Sequence, residues 1–470
     1  MQNERRTKMR PHKNTMIVTI LIALQMCGAL WAQAIVEDQV KTKGQGRLEN
    51  DAVPFPLETV PEPGESIELM TDLPAGQAVS YDMLTGEEMV LDMDLNLKDM
   101  PQEQWIPGSE IDQPQALDDP FDLMNFSDLS WIANPEDLPW RAICKINYTR
   151  HGVRYTGSGI LIDAYHVLCA GHIVNEGNGG IWSSDVIVMP GYNAGTHPYG
   201  DAKGVHFMSW EAWTLYGNLK HNIGVIRLDR PVGALTGWYG YGCTSDMSFY
   251  QRAYFHNPGY PVEAPYNGQY MHYWSGTFDG MDYPLLMVDR RGFGGQDGSG
   301  AYWIDPKDHR YVFAVFSCRN SSQTFFAMIT EGKFRDIQRF INEFTPLKFD
   351  LISLAVKASP RIIWAGDRLN SMSYVVYNHS SSSWIGNVGV NVYLSANDYI
   401  STSDILIDRH YFLHSFGPKE KVTITVTNPP RIPWNIFRGD YWIGVMLDIS
   451  DNDTSNNYSQ GQDATQIDAL

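Results

Sequence analysis

Short apolar runs broken at close intervals by Gly, Asn, Asp and Pro fill the chain from residue 136 onward. "GSGILIDAYHVLCA", "DVIVMP", "NIGVIRL", "LLMVDR" and "YVFAVFS" are of this kind. The spacing is that of β-barrels and sandwiches. One exception, "KFRDIQRFINEF", sets Phe334, Ile337, Phe340, Ile341 and Phe344 on one helical face, and Pro346 closes it. Beyond it, "SMSYVVYN", "VGVNVYLS", "KVTITVTN" and "DYWIGVMLDIS" alternate apolar and polar residues, as strands of a small antiparallel sandwich do. The pattern predicts an all-β chain with one β-rich domain over 136–345 and a β-sandwich over 346–470.

The first 135 residues differ in texture. Arg5, Arg6, Lys8, Arg10 and Lys13 precede the apolar run "MIVTILIALQMCGALW", and Ala32 to Ala34 offer small residues for cleavage. Residues 1–34 therefore read as a secretory signal peptide, too short for a comfortable membrane span. Between Asp82 and Leu123 twelve acids face the single Lys98. Residues 35–135 are read as an acidic pro-segment covering the next domain, with a loosely ordered linker as the alternative. The net charge of −19 argues against a nucleic-acid groove and against adhesion to anionic membranes. Export permits disulfides among Cys144, Cys169, Cys243 and Cys318, in three connectivities that sequence cannot separate. Cys169 lies close to His172, yet a buried structural thiol is a commoner role for it than catalysis.

Three stretches of the middle domain carry chemistry: "HVLCAGHIV" with His172, "HNIGVIRLDRPVG" with Asn222, and "GGQDGSGAYW" from Gly294 to Trp303. Their order of base, acid position and nucleophile loop resembles the trypsin-like (chymotrypsin-fold) serine proteases. "PWRAI", "GSGILI", "GHIV", "RLDRPVG", "GYP" and "GGQDGSG" fall in the order found in the bacterial glutamyl endopeptidase (V8-like) branch. The resemblance covers about 139–345 and implies a chymotrypsin-like double β-barrel with a proteolytic ancestry.

The resemblance also exposes departures. His172 matches the general base, but Asn222 stands where the family has Asp. Aligned without a gap, the loop places Asp297 on the nucleophile, with Gly295 and Asp297 supplying the oxyanion-hole N–H groups. The rival register makes Ser299 the nucleophile and lengthens the loop. An Asp carboxylate is a poor attacker of amides and puts negative charge beside a site built for an oxyanion. If Asp297 reached His172, their opposite charges would favour imidazolium. In the substrate pocket Phe316, followed by Ser317, replaces the His that meets a glutamate side chain in the family, so Phe316 either fills core or lines an apolar cleft. Gln296 fits this branch and implies no ion pair with a liberated N-terminal amine.

Other candidates are weaker. His197 and His206 match no common metal spacing, and Asp448, Asp451 and Asp453 are either calcium ligands or a solvated acidic turn. No metal or cofactor is expected. "AGDRLNSMSYVVYN", "STSDILID" and "RGDYWIGVMLDISDNDTSNN" resemble the bacterial adhesion-related CARDB domains, which implies an immunoglobulin-like sandwich. The "RGD" of Arg438–Asp440 is read as the entrance to a strand. The expected protein is a secreted, extracytoplasmic protease homologue, catalytically impaired, that binds a peptide or protein ligand. It would bind no nucleic acid and keep no membrane span after signal cleavage; its oligomeric state is open. The alternatives are an active serine endopeptidase using His172 and Ser299, and a surface interaction protein acting through its C-terminal sandwich.

Overall fold

Strand formation begins inside the acidic segment. The computed structural model describes residues 74–91, 103–109 and 129–470, so the expected signal peptide and much of the 35–135 segment lie outside the described residues. The described pieces of that segment include strands. Strands β1 (Ala78–Asp82) and β2 (Glu88–Leu91) form a hairpin. β3 (Glu103–Ile106) and β4 (Ser130–Trp131) follow.

Next come β5 (Ile143–Arg150), β6 (Val153–Leu161), β7 (His166–Cys169), β8 (Ser184–Pro190), β9 (Ala202–Trp210) and β10 (Gly224–Leu228). They pair in the order β10-β7-β6-β5-β8-β9, and β9 pairs again with β10, which closes a six-stranded barrel. β1 adds to the outside of β9, with Ala78 opposite Trp210 and Asp82 opposite His206.

The second half contains β11 (Gly240–Thr244), β12 (Phe255–Gly259), β13 (His272–Gly276), β14 (Gly280–Asp282), β15 (Leu285–Val288), β16 (Gly300–Ile304), β17 (Arg310–Arg319) and β18 (Thr324–Met328). β17 lies between β16 and β18, β3 pairs with β11, and β4 pairs with β13. The two halves are those of a chymotrypsin-like double β-barrel. Its aromatic-rich second core includes Phe255, Trp274, Phe313, Phe316 and Phe326.

The helix Glu331–Glu343 follows and buries Phe334, Ile337, Phe340 and Ile341 on the face that the spacing predicts. Then come β19 (Leu351–Ser359), β20 (Ile362–Ile363), β21 (Ser371–Asn378), β22 (Trp384–Ser395), β23 (Ile405–Phe416), β24 (Lys421–Thr425), β25 (Gly439–Asp448) and β26 (Thr465–Ala469). A three-stranded sheet, β19-β21-β24, faces a five-stranded one, β20-β26-β25-β22-β23. Val376, Val388, Val390, Ile443 and Val445 fill the space between them, as the alternation requires. Gly439 and Asp440 of the "RGD" open β25.

The four described cysteines are free thiols, all buried. Cys144 and Cys169 sit opposite Gly159 from the two sides of β6. Two strand spacings, about 9–10 Å, separate them, beyond the reach of a disulfide.

Candidate functional site

The site lies where the two barrels meet. His172 stands in a single helical turn, Gly171–Val174, immediately after β7, and Asn222 precedes β10. Asp297 and Ser299 belong to the loop entering β16, and Ser317 lies on β17. The loop can take its shape only with glycine at two points. Gly295 and Gly298 both have φ near +89°, and a Cβ on Gly298 would lie 2.2 Å from the Ser158 carbonyl oxygen.

Asn222 is held on three sides. Its Oδ1 accepts the His172 backbone N–H at 2.8 Å, and its Nδ2 donates to the Ser317 carbonyl at 2.9 Å. These two contacts fix which end of the amide is which. The same Nδ2 faces His172 Nδ1 at 3.0 Å. Since an amide nitrogen only donates, Nδ1 must accept, which puts the ring proton on Nε2. An Asp at this position would accept from Nδ1 and leave Nε2 free to take a proton; Asn222 selects the opposite tautomer.

His172 is 3% exposed. Burial holds its pKa down to about 3, and the Arg150 and Arg319 charges push the same way. The imidazolium expected from a His172–Asp297 pair is therefore not what the surroundings favour. Among the described residues no ion pair joins the two side chains, because Asp297 turns elsewhere.

The Asp297 carboxylate folds back on its own loop, and its Oδ2 accepts the Gly295 N–H at 3.2 Å. Burial raises its pKa to about 6, opposed by the Arg319 charge and by the N–H groups of Asp297 and Gly295. The side chain thus takes a backbone donor that the family pattern assigns to an oxyanion. Ser299 Oγ lies in a different environment, fully buried. It accepts from Asn257 Nδ2 at 2.8 Å and donates to Asn257 Oδ1 at 3.1 Å. Trp274 Nε1 holds that amide in turn at 2.6 Å.

Phe316 is core: its ring lies 5.5 Å from that of Phe326 and it has no exposed surface. Ser317 donates its hydroxyl to the Leu219 carbonyl at 2.9 Å. Gln296 is buried, and its Oε1 accepts the Phe293 N–H at 2.8 Å, bracing the loop.

Three charged groups beside the loop escaped the reading of the sequence. Arg319, 1% exposed, donates to Glu263 Oε2 at 2.9 Å. Arg291 holds Glu263 Oε1 at 2.6 Å, and the Gly294 N–H donates to Oε2 at 3.0 Å. An arginine ending the apolar strand "YVFAVFSCR" was the available signal for Arg319; Glu263 had none.

The lesser candidates disperse. His197 pairs with Asp201, and His206 with Asp82 at 3.2 Å. Asp451 accepts the Leu351 N–H and Asp453 caps Ser455. Among the described residues no three His, Cys, Asp or Glu side chains are placed to hold a metal ion. Burial raises the pKa of the Cys169 thiol, so it stays protonated.

In sequence the chain is 27% identical over 180 residues to the glutamyl endopeptidase of Bacillus licheniformis, a match covering 38% of this chain and 54% of that protein. This domain is similar to that glutamyl endopeptidase. A protein of Bacillus subtilis named extracellular metalloprotease matches at 26% over 228 residues, 48% of this chain and 71% of that one. A solved glutamyl endopeptidase in complex with MPD aligns with a TM-score of 0.40 and 21% identity, over 46% of this chain and 96% of its own. No family model matches the chain. The name of the Bacillus subtilis protein implies a metal, but the residues around His172 do not fit one: its neighbours are Asn222, Arg150 and Arg319.

Proposed function

We propose that the chain is an exported serine-protease homologue that has lost hydrolysis and acts by binding a peptide or protein ligand. The observation that carries this is the Asp297 carboxylate on the Gly295 N–H. Hydrolysis needs a nucleophile and a vacant pair of donors for the oxyanion. Here one side chain removes the first and covers part of the second. Asn222 supports the same reading, because the proton it leaves on His172 Nε2 blocks the atom that would act as base. In serine proteases an acid-to-amide change costs about 10⁴ in turnover and nucleophile loss about 10⁶, and such losses do not add.

Export is supported by the extracellular designation of the Bacillus subtilis relative and by the charged, apolar N-terminal pattern. No described helix is long and apolar enough to cross a membrane. A CARDB-like adhesion role for the sandwich rests on the quoted strands alone.

Labelling with a fluorophosphonate probe separates binding from catalysis. The natural chain should not label. Asp297→Ser combined with Asn222→Asp should label at residue 297 and regain measurable peptidase activity, and either change alone should leave at least about 10³-fold less. Labelling of the natural chain that disappears in Ser299→Ala would instead establish an active enzyme and overturn the proposal.

A further inference from the structure

One end of the C-terminal sandwich carries an apolar, cationic surface that no contact among the described residues explains. β26 starts near Asp463, which clasps Arg230 of the first barrel, and runs to Ala469. At that opposite end Ala469 lies against both Gly439 of β25 and Ile363 of β20. The segments 361–368 and 431–440 meet there. Gly366 N–H donates to the Ile432 carbonyl at 2.9 Å, and the Ile432 N–H to the Asp367 carbonyl at 2.8 Å.

Three aromatic side chains project from this clasp: Trp364 is 63% exposed, Trp434 83% and Phe437 88%. Such exposure is far from the usual state of large aromatics and needs a reason. Flexible loops could fold these rings inward, but this one is stiffened. Pro429, Pro430 and Pro433 restrict its backbone. Arg431 Nη1 holds the Gly366 carbonyl at 2.7 Å, and Arg368 Nη1 holds Pro429 O at 2.6 Å. The rings are therefore held out in advance, which lowers the ordering cost of binding.

Four exposed arginines, Arg361, Arg368, Arg431 and Arg438, lie on these segments, against the exposed Asp367 and Asp440 and the half-buried Asp468. In a chain of net charge −19 this is a local reversal of sign. Charges beyond about 8 Å are screened at physiological ionic strength, so the patch and not the whole chain governs close approach. Protruding Trp and Phe suit the boundary between headgroups and acyl chains, and guanidinium groups pair bidentately with phosphates.

We infer that this end of the sandwich docks on an anionic phospholipid surface, with the three rings inserted and the arginines on headgroup phosphates. The protease-like domain is then carried at the opposite end, away from the bilayer.

The test is co-sedimentation of the processed chain beginning at Ile35, which retains every described residue, at physiological salt. Vesicles of phosphatidylcholine with about one-third phosphatidylglycerol are compared with phosphatidylcholine alone. Binding should require the anionic lipid and shift tryptophan emission to the blue. Trp434→Ala with Phe437→Ala should lower partitioning about tenfold or more, as should Arg361→Gln with Arg438→Gln. All four positions are exposed, so melting temperatures should not change. Equal binding to neutral vesicles, unchanged partitioning of both variants, or binding to a soluble polysulfate without binding to vesicles would each overturn the inference.

Discussion

Asp297 is costly where it stands, and the cost depends on pH. Its folded pKa, near 6, lies above the ordinary carboxylate value of 3.8. The folded state therefore prefers the protonated acid. The stability this contributes is complete below pH 3.8 and is lost as pH rises through about 6. The gap corresponds to about 3 kcal/mol at most. Asp297→Asn keeps an oxygen for the Gly295 N–H and removes the ionisation. It should match the natural chain in stability at pH 3.5 and exceed it by about 2–3 kcal/mol at pH 8 in urea titrations. A pH-independent difference would mean that the carboxylate is not desolvated. His172 behaves in the opposite sense. Its depressed pKa gives stability that is present above pH 6.5 and lost as pH falls toward 3. These two groups could be named from sequence because each sits in a local pattern, "AGHIV" and "GQDGSG". Arg319, Glu263 and Asn257 could not, since they reach the loop from β17, from the turn after β12 and from β12, each more than twenty residues from Asp297 in sequence. The condition for a His172–Asp297 ion pair was illegible for a related reason: no local pattern shows that a backbone N–H will take the carboxylate first.

At the scale of elements, the acidic segment was the least legible part. Its described strands carry no long apolar run, because each is a short addition to an existing sheet edge. β3 is held by β11 on one side and by Trp105, whose ring lies within 5.5 Å of Phe249, Trp303 and Tyr311. The close approach depends on Gly242, where a Cβ would sit 2.1 Å from the Gln104 carbonyl oxygen. Gly242→Ala should lift β3 at a cost of about 1–3 kcal/mol while leaving the barrel strands paired. Limited proteolysis should then cut between residues 91 and 129 about tenfold faster, and the sites within 136–345 should stay protected. Unchanged cleavage would show that β3 is held by something other than this pairing. The strands of 136–470 were legible as strands because their alternation repeats, but their sheet partners were not. The parallel pairing of β11 with β17, for example, brings together residues some seventy positions apart.

Across the whole molecule residue 346 does not divide two independent bodies: Ile352, Leu354 and Tyr377 of the sandwich belong to the apolar core of the double barrel. Arg230 of the first barrel and Asp463 of the sandwich form a largely buried bidentate pair, at 2.6 and 2.9 Å. Asp463 also accepts the Ala355 N–H at 3.0 Å, and Arg230 donates to the Tyr199 carbonyl at 2.9 Å. Lys419 reaches Asp163 at 3.6 Å beside this contact, and Tyr165 meets the His379 ring at 4.4 Å. Removing one member of a buried pair leaves the other charge without compensation, at a cost of about 3 kcal/mol or more. Because that cost falls on the junction and leaves the strands of either part paired, it should reduce cooperativity more than it lowers the stability of either part. Calorimetry of the natural chain should show the double barrel and the sandwich melting in one transition. Arg230→Ala should split it in two, the later transition keeping the natural melting temperature to within a few degrees. A single unshifted transition in the variant would mean that the junction contributes nothing to holding the parts together. The sandwich would then be a tethered passenger and could not hold the protease-like cleft at a fixed distance from whatever its far end touches.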